Sequence, residues 1–160
     1  MKIYLDSLNE GIGQRIAEWH LQGSGQGGAT DLVFYPAIKQ LTLDLAANSF
    51  LGIALGPEAS AINRAFVDML AASVAVIRSP SPGTKVQRGV KGRDYMMAFF
   101  AREIPARRRS EANDLFTELC RATKEDGSLL SDQEIMDHMN FLMLAAHDTL
   151  TSSVSSLVYL

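Results

Sequence analysis

The chain has 160 residues, of which 47% are hydrophobic, so it is long and apolar enough for one folded domain and is not a disordered chain. A formal net charge of −3 provides no basic surface for nucleic acid. The single cysteine excludes an internal disulfide framework and is typical of a reducing cytosol. The start of the chain does not read as a signal peptide, and no apolar run approaches the ~20 residues that cross a bilayer. Together these features predict a soluble cytoplasmic protein.

Apolar residues recur at helical spacing along almost the whole chain, and the alternation typical of strands is absent. The sequence therefore predicts a mainly α fold, in a single domain over residues 1–160. Pro36 is a favoured first-turn residue, Gly56-Pro57 is a strong terminator, and the Pro-rich segment 79–83 cannot continue a helix. Six helices are predicted, over residues 5–21, from 36 to the stop at Gly56, and over 59–77, 86–109, 113–123 and 134–160.

Each of the longer predicted helices has an apolar stripe that we expect to be buried. Pro105 is expected to bend or interrupt the fourth helix. The basic end at Arg107, Arg108 and Arg109 is interpreted as solvated and favoured by the helix dipole, with a docking site for an acidic partner as the alternative. Cys120 is expected to be buried as a small apolar residue. The residues predicted to face inward are Ile12, Ile16, Trp19, Ile38, Leu41, Leu45, Phe50, Ile62, Phe66, Met69, Leu70, Val74, Tyr95, Met96, Phe99, Phe100 and Ile104.

Two short motifs mark element boundaries. Gly23, Gly25 and Gly28 match a dinucleotide-type G-x-G-x-x-G, but that motif needs a strand before it, and here a helical pattern precedes it. A flexible turn is therefore favoured over a phosphate cradle. Ser131 and Glu134 form a capping box, in which each side chain bonds the backbone of the other, and they place the start of the last helix.

The predicted last helix is apolar nearly all round, which is typical of a helix that runs through the middle of a protein. Asp148 and Thr149 lie side by side at its centre. Burying a carboxyl group is unfavourable unless it is hydrogen-bonded or used in chemistry. At ~100° per residue, one face of the helix carries a shelf of small side chains: Ala145, Ala146, Thr149 and Ser152.

Two interpretations of this shelf remain open. In the first, the small side chains let another helix pack closely, Thr149 bonds back to the carbonyl four residues earlier, and Asp148 meets an arginine. In the second, the shelf covers a planar cofactor, and the acid and the alcohol relay protons from solvent to a reacting atom. Metal ligation by His147 with His138 or His20 is disfavoured, because their spacing is not that of a helical metal pair.

The segment from Phe141 to Thr149 resembles the oxygen-activation motif of the cytochrome P-450 monooxygenases, which is usually written Ala/Gly-Gly-x-Asp/Glu-Thr-Thr/Ser. Ala146 stands where glycine is common, and Leu150 stands where Thr or Ser usually follows. Other segments extend the resemblance over most of the chain. These are Leu41-Thr42-Leu43-Asp44 with Phe50-Leu51-Gly52 (the fifth lettered helix), the helices on either side of 79–83 (the mobile roof of the substrate pocket), and Glu125-Asp126-Gly127 with Leu130-Ser131-Asp132 (the turn into the central helix).

The resemblance implies a partial cytochrome P-450 fold, a helical bundle that ends within the central helix and lacks the C-terminal haem-ligand region. Thr149 matches the threonine that hydrogen-bonds the bound dioxygen, and Asp148 matches its acidic partner in proton delivery. Ala145 and Ala146 match the small pair that lies over the haem beside the substrate. The residues we predict to line the substrate pocket are Phe66, Leu70, Leu142 and Ala145.

The resemblance further implies a haem cofactor, a lipophilic small-molecule substrate, and NAD(P)H electrons delivered by a ferredoxin or a flavoprotein reductase. Nothing in the chain matches the family's Phe-x-x-Gly-x-Arg-x-Cys-x-Gly loop or its Glu-x-x-Arg pair, and Cys120 is not a candidate iron ligand. No metal ligand is therefore predicted, and the isolated chain is expected to be inactive. A non-enzymatic helical ligand-binding or regulatory domain and a dimeric helical scaffold are the alternatives.

Overall fold

The structure, a computed structural model, describes residues 2–23, 32–54 and 56–159. Within these ranges the predicted mainly α fold is confirmed, because the chain forms helices and no strand, with a single β-bridge between Thr123 and Leu129. Gly25 and Gly28 of the glycine-rich segment lie outside the described residues. The helices are α1 (Lys2–Gly23), α2 (Phe34–Leu51), α3 (Pro57–Ser73), α4 (Lys85–Arg107), α5 (Leu115–Arg121) and α6 (Asp132–Tyr159).

The start of α6 is fixed by the predicted capping box. The Ser131 backbone N–H donates to Glu134 Oε2 at 2.8 Å, and the Glu134 N–H donates to Ser131 Oγ at 3.3 Å. The same carboxylate is 2.7 Å from the Lys124 ammonium. The Lys124 contact, followed by the bonds from Ser131, lowers the pKa of Glu134 to about 2. The box thus satisfies donors at the helix N-terminus and adds a favourable charge there.

The hydrophobic core lies where α2, α3, α4, α5 and α6 meet. Phe100 is fully buried and meets Phe116 edge to face, with ring centroids 5.4 Å apart. Such aromatic pairs contribute about 0.5–1.5 kcal/mol beyond the burial of their area. The largest fully buried side chains around them are Leu51, Ile62, Phe66, Met96, Ile104, Ile135, Met139 and Met143.

Helices α3 and α4 form an antiparallel hairpin whose axes approach closely at two glycines. A methyl group at Gly92 would lie under 3.0 Å from the carbonyl oxygen of Ala65, and one at Gly89 would overlap the methyl of Ala72. The loop that joins the helices contains the predicted break at 79–83. Glycine is therefore required in α4 by the approach of α3, although it lowers the intrinsic helix propensity there.

Several sequence expectations about the ends of helices are wrong. Helix α2 stops at Leu51 rather than at Gly56, because Gly52 takes a left-handed φ of 61° and its N–H bonds the carbonyl of Asn48. Helix α3 ends at Ser73, so Val74, which was expected on its buried face, is 79% exposed. Pro105 does not interrupt α4, which continues to Arg107.

Three further expectations about burial are wrong. Tyr95 is 43% exposed and Ile16 is 54% exposed, because each lies on the outer side of its helix. The Arg107 side chain is only 15% exposed, so this part of the basic end is not solvated. Its guanidinium pairs with Asp114 at 2.6 Å and donates to the carbonyl of Leu51 at 2.7 Å. Arg107 therefore joins the ends of α2 and α4 to the start of α5.

Candidate active site

Helix α6 has one packed side and one open side. Its packed side is a row of residues spaced four or eight apart, Ile135, Met139, Met143, Thr151 and Ser155, all of them buried. This side faces α2, α4 and α5. The open side carries Phe141, Ala145, Thr149, Ser152 and Ser156, all of them exposed.

The open side contains most of the small-residue shelf predicted from the sequence. Ala145 and Thr149 are one turn apart and exposed, and Ser152 continues the same face. The backbone at 147 and 148 is helical, but the side chains of His147 and Asp148 are outside the described part of the chain. The shelf is thus an accessible strip of small side chains, in which the hydroxyl of Thr149 stands next to the backbone position that holds an acid.

Ala146 does not share the open face with Ala145. It is half-buried, and with Leu150 it borders an apolar groove of about 180 Å³ between α1, α2 and α6. The methyl groups of Ala145 and Ala146 therefore belong to different surfaces of α6. The other residues that line the groove are Leu8, Thr42, Leu45, Ala46, Ser49 and Phe50.

A pair of buried hydroxyls, which sequence reasoning missed, joins α6 to α2. Thr151 Oγ1 and Thr42 Oγ1 are 2.8 Å apart, and both residues are buried. Thr151 lies two residues after Thr149, on the packed side of the helix. The sequence did carry one signal, since Thr151 is the hydroxyl displaced by one position from where the oxygen-activation motif expects it. Its partner lies 109 residues away and could not be identified from spacing.

The residues predicted to line a substrate pocket come from two helices that are not neighbours. Phe66 is fully buried in the core and Leu70 packs against that core, both on α3. Leu142 is half-buried and Ala145 is exposed, both on α6. Among the described residues, no Cα of α3 lies within 8 Å of a Cα of α6. Helices α3 and α6 therefore do not pack directly against each other in the described part of the chain.

The cysteine does not have the chemistry of a haem ligand. Cys120 is fully buried on α5, as predicted. Burial raises the pKa of its thiol to about 11, and the nearby Arg108 and Arg107 oppose this only in part. A thiolate is the form that ligates iron, and both the raised pKa and the complete burial of this sulfur work against that role. Within 2–23, 32–54 and 56–159 there is also no group of three or more His, Cys, Asp or Glu that could hold a metal ion.

A polar cleft of about 560 Å³ lies away from α6, between α2, α3 and α1. At its edge the buried Asp44 pairs with Arg15 and accepts hydrogen bonds from Gln40 and Asn63, each at 2.9 Å. The carboxylate is thus neutralised and fully bonded by the protein itself. This arrangement ties α1 to α2 and α3, and it engages both carboxylate oxygens of Asp44 in contacts within the protein.

The chain is similar to cytochromes P-450 over nearly its whole length. It is 34% identical over 159 residues to a Mycobacterium tuberculosis protein provisionally named cytochrome P-450 136. It is 26% identical over 155 residues to the beta-amyrin 28-monooxygenase of Vitis vinifera. Its fold matches the retinoic acid-bound cyanobacterial CYP120A1 with a TM-score of 0.77 and 25% identity, over 96% of this chain.

Over this span the chain has the sequence pattern and the fold of part of a cytochrome P-450. It covers 31% and 32% of the two relatives and 34% of the solved structure, which is about a third of their length. No protein-family model matches it. The predicted partial cytochrome P-450 fold is confirmed, because the helices superpose on the corresponding part of CYP120A1. None of the helices in the described ranges is long and apolar enough to cross a membrane.

Proposed function

We propose that this chain is the oxygen-activation part of a haem-dependent monooxygenase, in which Asp148 and Thr149 form the proton-relay pair. The observation that carries the proposal is the open side of α6, where Thr149 and Ala145 are exposed while the opposite side of the helix is packed into the core. A helix with an apolar, accessible strip at its centre is suited to receive a flat apolar group. The similarity to cytochromes P-450 over 98% of the chain supports the same function.

The protons are required by the balance of the reaction. One atom of dioxygen enters the substrate and the other leaves as water, so each turnover consumes two electrons and two protons. In the proposal, Asp148 collects protons from solvent, and Thr149 holds a proton at Oγ1 on the side of the helix where oxygen is reduced. Leu150 leaves the helix face next to Thr149 without a second hydroxyl, so the relay depends on this single alcohol.

The residues present fit one face of a haem and not the other. Ala145 and Thr149 would lie against the ring on the side where oxygen and substrate meet, and their small side chains fit a broad planar group. The methyl group of Ala146, which the resemblance also assigns to this side, borders the groove against α1 and α2 instead. The buried, protonated Cys120 does not fit the opposite, ligand side. When bound, haem supplies the oxidation itself. We infer that the ligand side comes from other residues of the full-length protein, and that the isolated chain is inactive.

The proposed substrate is a lipophilic small molecule. The names of the relatives support this class, since one acts on beta-amyrin and the matched structure holds retinoic acid. In the proposal Leu142 and Ala145, on the open side of α6, contact the substrate, and Phe66 and Leu70 shape the pocket from α3. Electrons would come from NAD(P)H through a ferredoxin or a flavoprotein reductase.

An absorbance spectrum of the reduced, carbon monoxide-treated protein tests this proposal. The full-length protein is expected to give the band of a thiolate-ligated haem, and the 160-residue chain mixed with haem is expected not to give it. Absence of the band from the full-length protein would contradict the assignment and favour a non-enzymatic ligand-binding domain. A normal band from the 160 residues alone would contradict the inferred division of the haem site.

A further inference from the structure

The hydroxyl pair between α2 and α6 is anchored on the backbone of α2. The Thr42 hydroxyl donates to the carbonyl of Lys39, three residues earlier in its own helix, at 3.0 Å. The Thr42 and Thr151 hydroxyl oxygens are 2.8 Å apart, so one hydroxyl donates to the other across the helix interface. The usual alternative for a threonine within a helix is to bond the carbonyl four residues earlier. The Thr151 hydroxyl instead forms its hydrogen bond across the helix interface, with Thr42.

The position of this bond matters because of where Thr149 lies. Two residues along a helix correspond to a rotation of about 200° and a rise of about 3 Å. Thr151 is therefore buried against α2, while Thr149 is exposed on the far side of the same turn. A directional contact at Thr151 fixes both the rotation of α6 and its position along its axis, and it thereby sets the direction of the Thr149 side chain.

The other buried hydroxyls at this interface do not play the same part. Ser49 on α2 and Ser155 on α6 are buried, and within the described residues neither Oγ has a hydrogen-bond partner. Apolar contacts between α2 and α6 can slide or rotate by small amounts at little cost, whereas a hydrogen bond weakens steeply when its geometry changes. The Thr42 and Thr151 pair is thus a directional contact of this interface, which the buried Ser49 and Ser155 hydroxyls are not.

We propose that Thr42 and Thr151 form a cross-helix clamp that positions the proton-relay turn of α6, so that Thr151 is a positioning residue for Thr149. This inference rests on the proposed function of Thr149. A misplacement of about 1 Å in a reacting group can lower a rate by roughly a hundredfold. The clamp therefore accounts for a hydroxyl that stands one position later than the family motif expects: it faces α2 and orients the relay without taking part in it.

The test uses the full-length protein with the single variants Thr151→Val and Thr42→Val and the double variant. Valine keeps the β-branched shape and removes only the hydroxyl. Thr151→Ser is the rescue variant, and Ser155→Ala is the matched control, because it removes a buried hydroxyl of the same interface that has no partner. Two quantities are measured: product formed per NAD(P)H consumed, and the hydrogen-exchange rates of backbone amides in residues 149–155 without substrate.

Each single valine variant is expected to raise the exchange rates about fivefold, the factor that corresponds to one hydrogen bond of typical net strength. Each is also expected to lower the ratio of product formed to NAD(P)H consumed (the product ratio) by about fivefold or more. The double variant should be no worse than either single one, because all three remove the same contact. Thr151→Ser should restore both quantities, and Ser155→Ala should change neither.

The clamp is contradicted if Ser155→Ala matches Thr151→Val, or if the effects of the two valine substitutions add. It is also contradicted if Thr151→Val leaves the product ratio unchanged while Thr149→Ala, measured in parallel, lowers it. If instead Thr149→Ala has no effect, the proposed function of Thr149 fails. The exchange rates and their additivity then still decide whether Thr42 and Thr151 hold α6 in place.

Discussion

The close approach of α3 and α4 predicts opposite effects for the same substitution at two glycines. In Gly92→Ala the new methyl group lies under 3.0 Å from the Ala65 carbonyl oxygen and 3.2 Å from its carbonyl carbon. The obstacle is backbone, so it cannot turn away, and the helices must separate. Gly13 lies within α1 and has nothing within 4 Å of the position of the added methyl. Gly13→Ala is therefore the matched control.

The magnitude follows from two opposing terms. Replacing glycine by alanine within a helix stabilises it by about 1 kcal/mol, and this term is common to both variants. Separating packed surfaces by 0.5–1 Å removes roughly a quarter to a half of each ~0.1–0.2 kcal/mol atomic contact. Over the length of the hairpin this amounts to about 1–3 kcal/mol, the usual range for overpacking. The free energy of unfolding of the two variants should differ by that amount, with Gly92→Ala the less stable.

Thermal unfolding followed by far-ultraviolet circular dichroism measures the difference. For a domain of this size it corresponds to a gap of about 2–12 °C between the unfolding midpoints of the two variants. Gly89→Ala gives a second check, because its obstacle includes the methyl of Ala72, and adding Ala72→Gly should recover part of the loss. Equal midpoints for Gly92→Ala and Gly13→Ala would refute the close packing of the hairpin.

Two further predictions concern titrating groups. The depressed pKa of Glu134, about 2 against an ordinary 4.5, means that its carboxylate stabilises the fold above pH 4.5 and that this contribution disappears as the pH falls towards 2. The free energy of unfolding of Glu134→Gln should therefore be lower than that of the wild type above pH 4.5, and the difference should shrink as the pH falls towards 2. A difference that does not change with pH would contradict the ion pair. The raised pKa of Cys120, about 11 against 9.0, leaves roughly a hundredfold less thiolate in the folded protein than in the unfolded chain. Iodoacetamide should label the folded protein more slowly than the urea-unfolded chain by at least that factor, and equal labelling rates would place the thiol at the surface. The free energy of unfolding should fall as the pH rises from 9.0 towards 11.

Features that depend on neighbouring residues could be predicted from the sequence. The capping box at Ser131 and Glu134, the break at 79–83 and the burial of Cys120 each follow from local pattern or residue type, and each is found in the structure. The end of α2 could not be placed in the same way. The chain offers two glycines there, and Gly52 adopts the left-handed conformation because the segment that follows must turn towards α3.

Features that depend on distant residues could not be predicted. The stretch of three arginines looks like a solvated helix end, but Arg107 is held by Asp114 and by the carbonyl of Leu51, 56 residues away. The predicted shelf on α6 is only partly present in the structure, since Ala145 and Ala146 lie on different surfaces of the helix. Their small size alone does not reveal this. The partner of Thr151 is likewise set by how α2 crosses α6, which no spacing in either helix encodes.

The measurement that tests the central claim most directly is the ratio of product formed to NAD(P)H consumed in the full-length protein with Thr149→Ala. Ser152→Ala, which removes a hydroxyl from the same open side of α6, is the control, and Thr149→Ser keeps the alcohol. General acid catalysis contributes roughly 10²–10⁴-fold, and water can replace only part of it. The ratio is expected to fall by about tenfold or more in Thr149→Ala and to stay near the wild-type value in the other two. An unchanged ratio in Thr149→Ala, or an equal fall in Ser152→Ala, would contradict the proton relay.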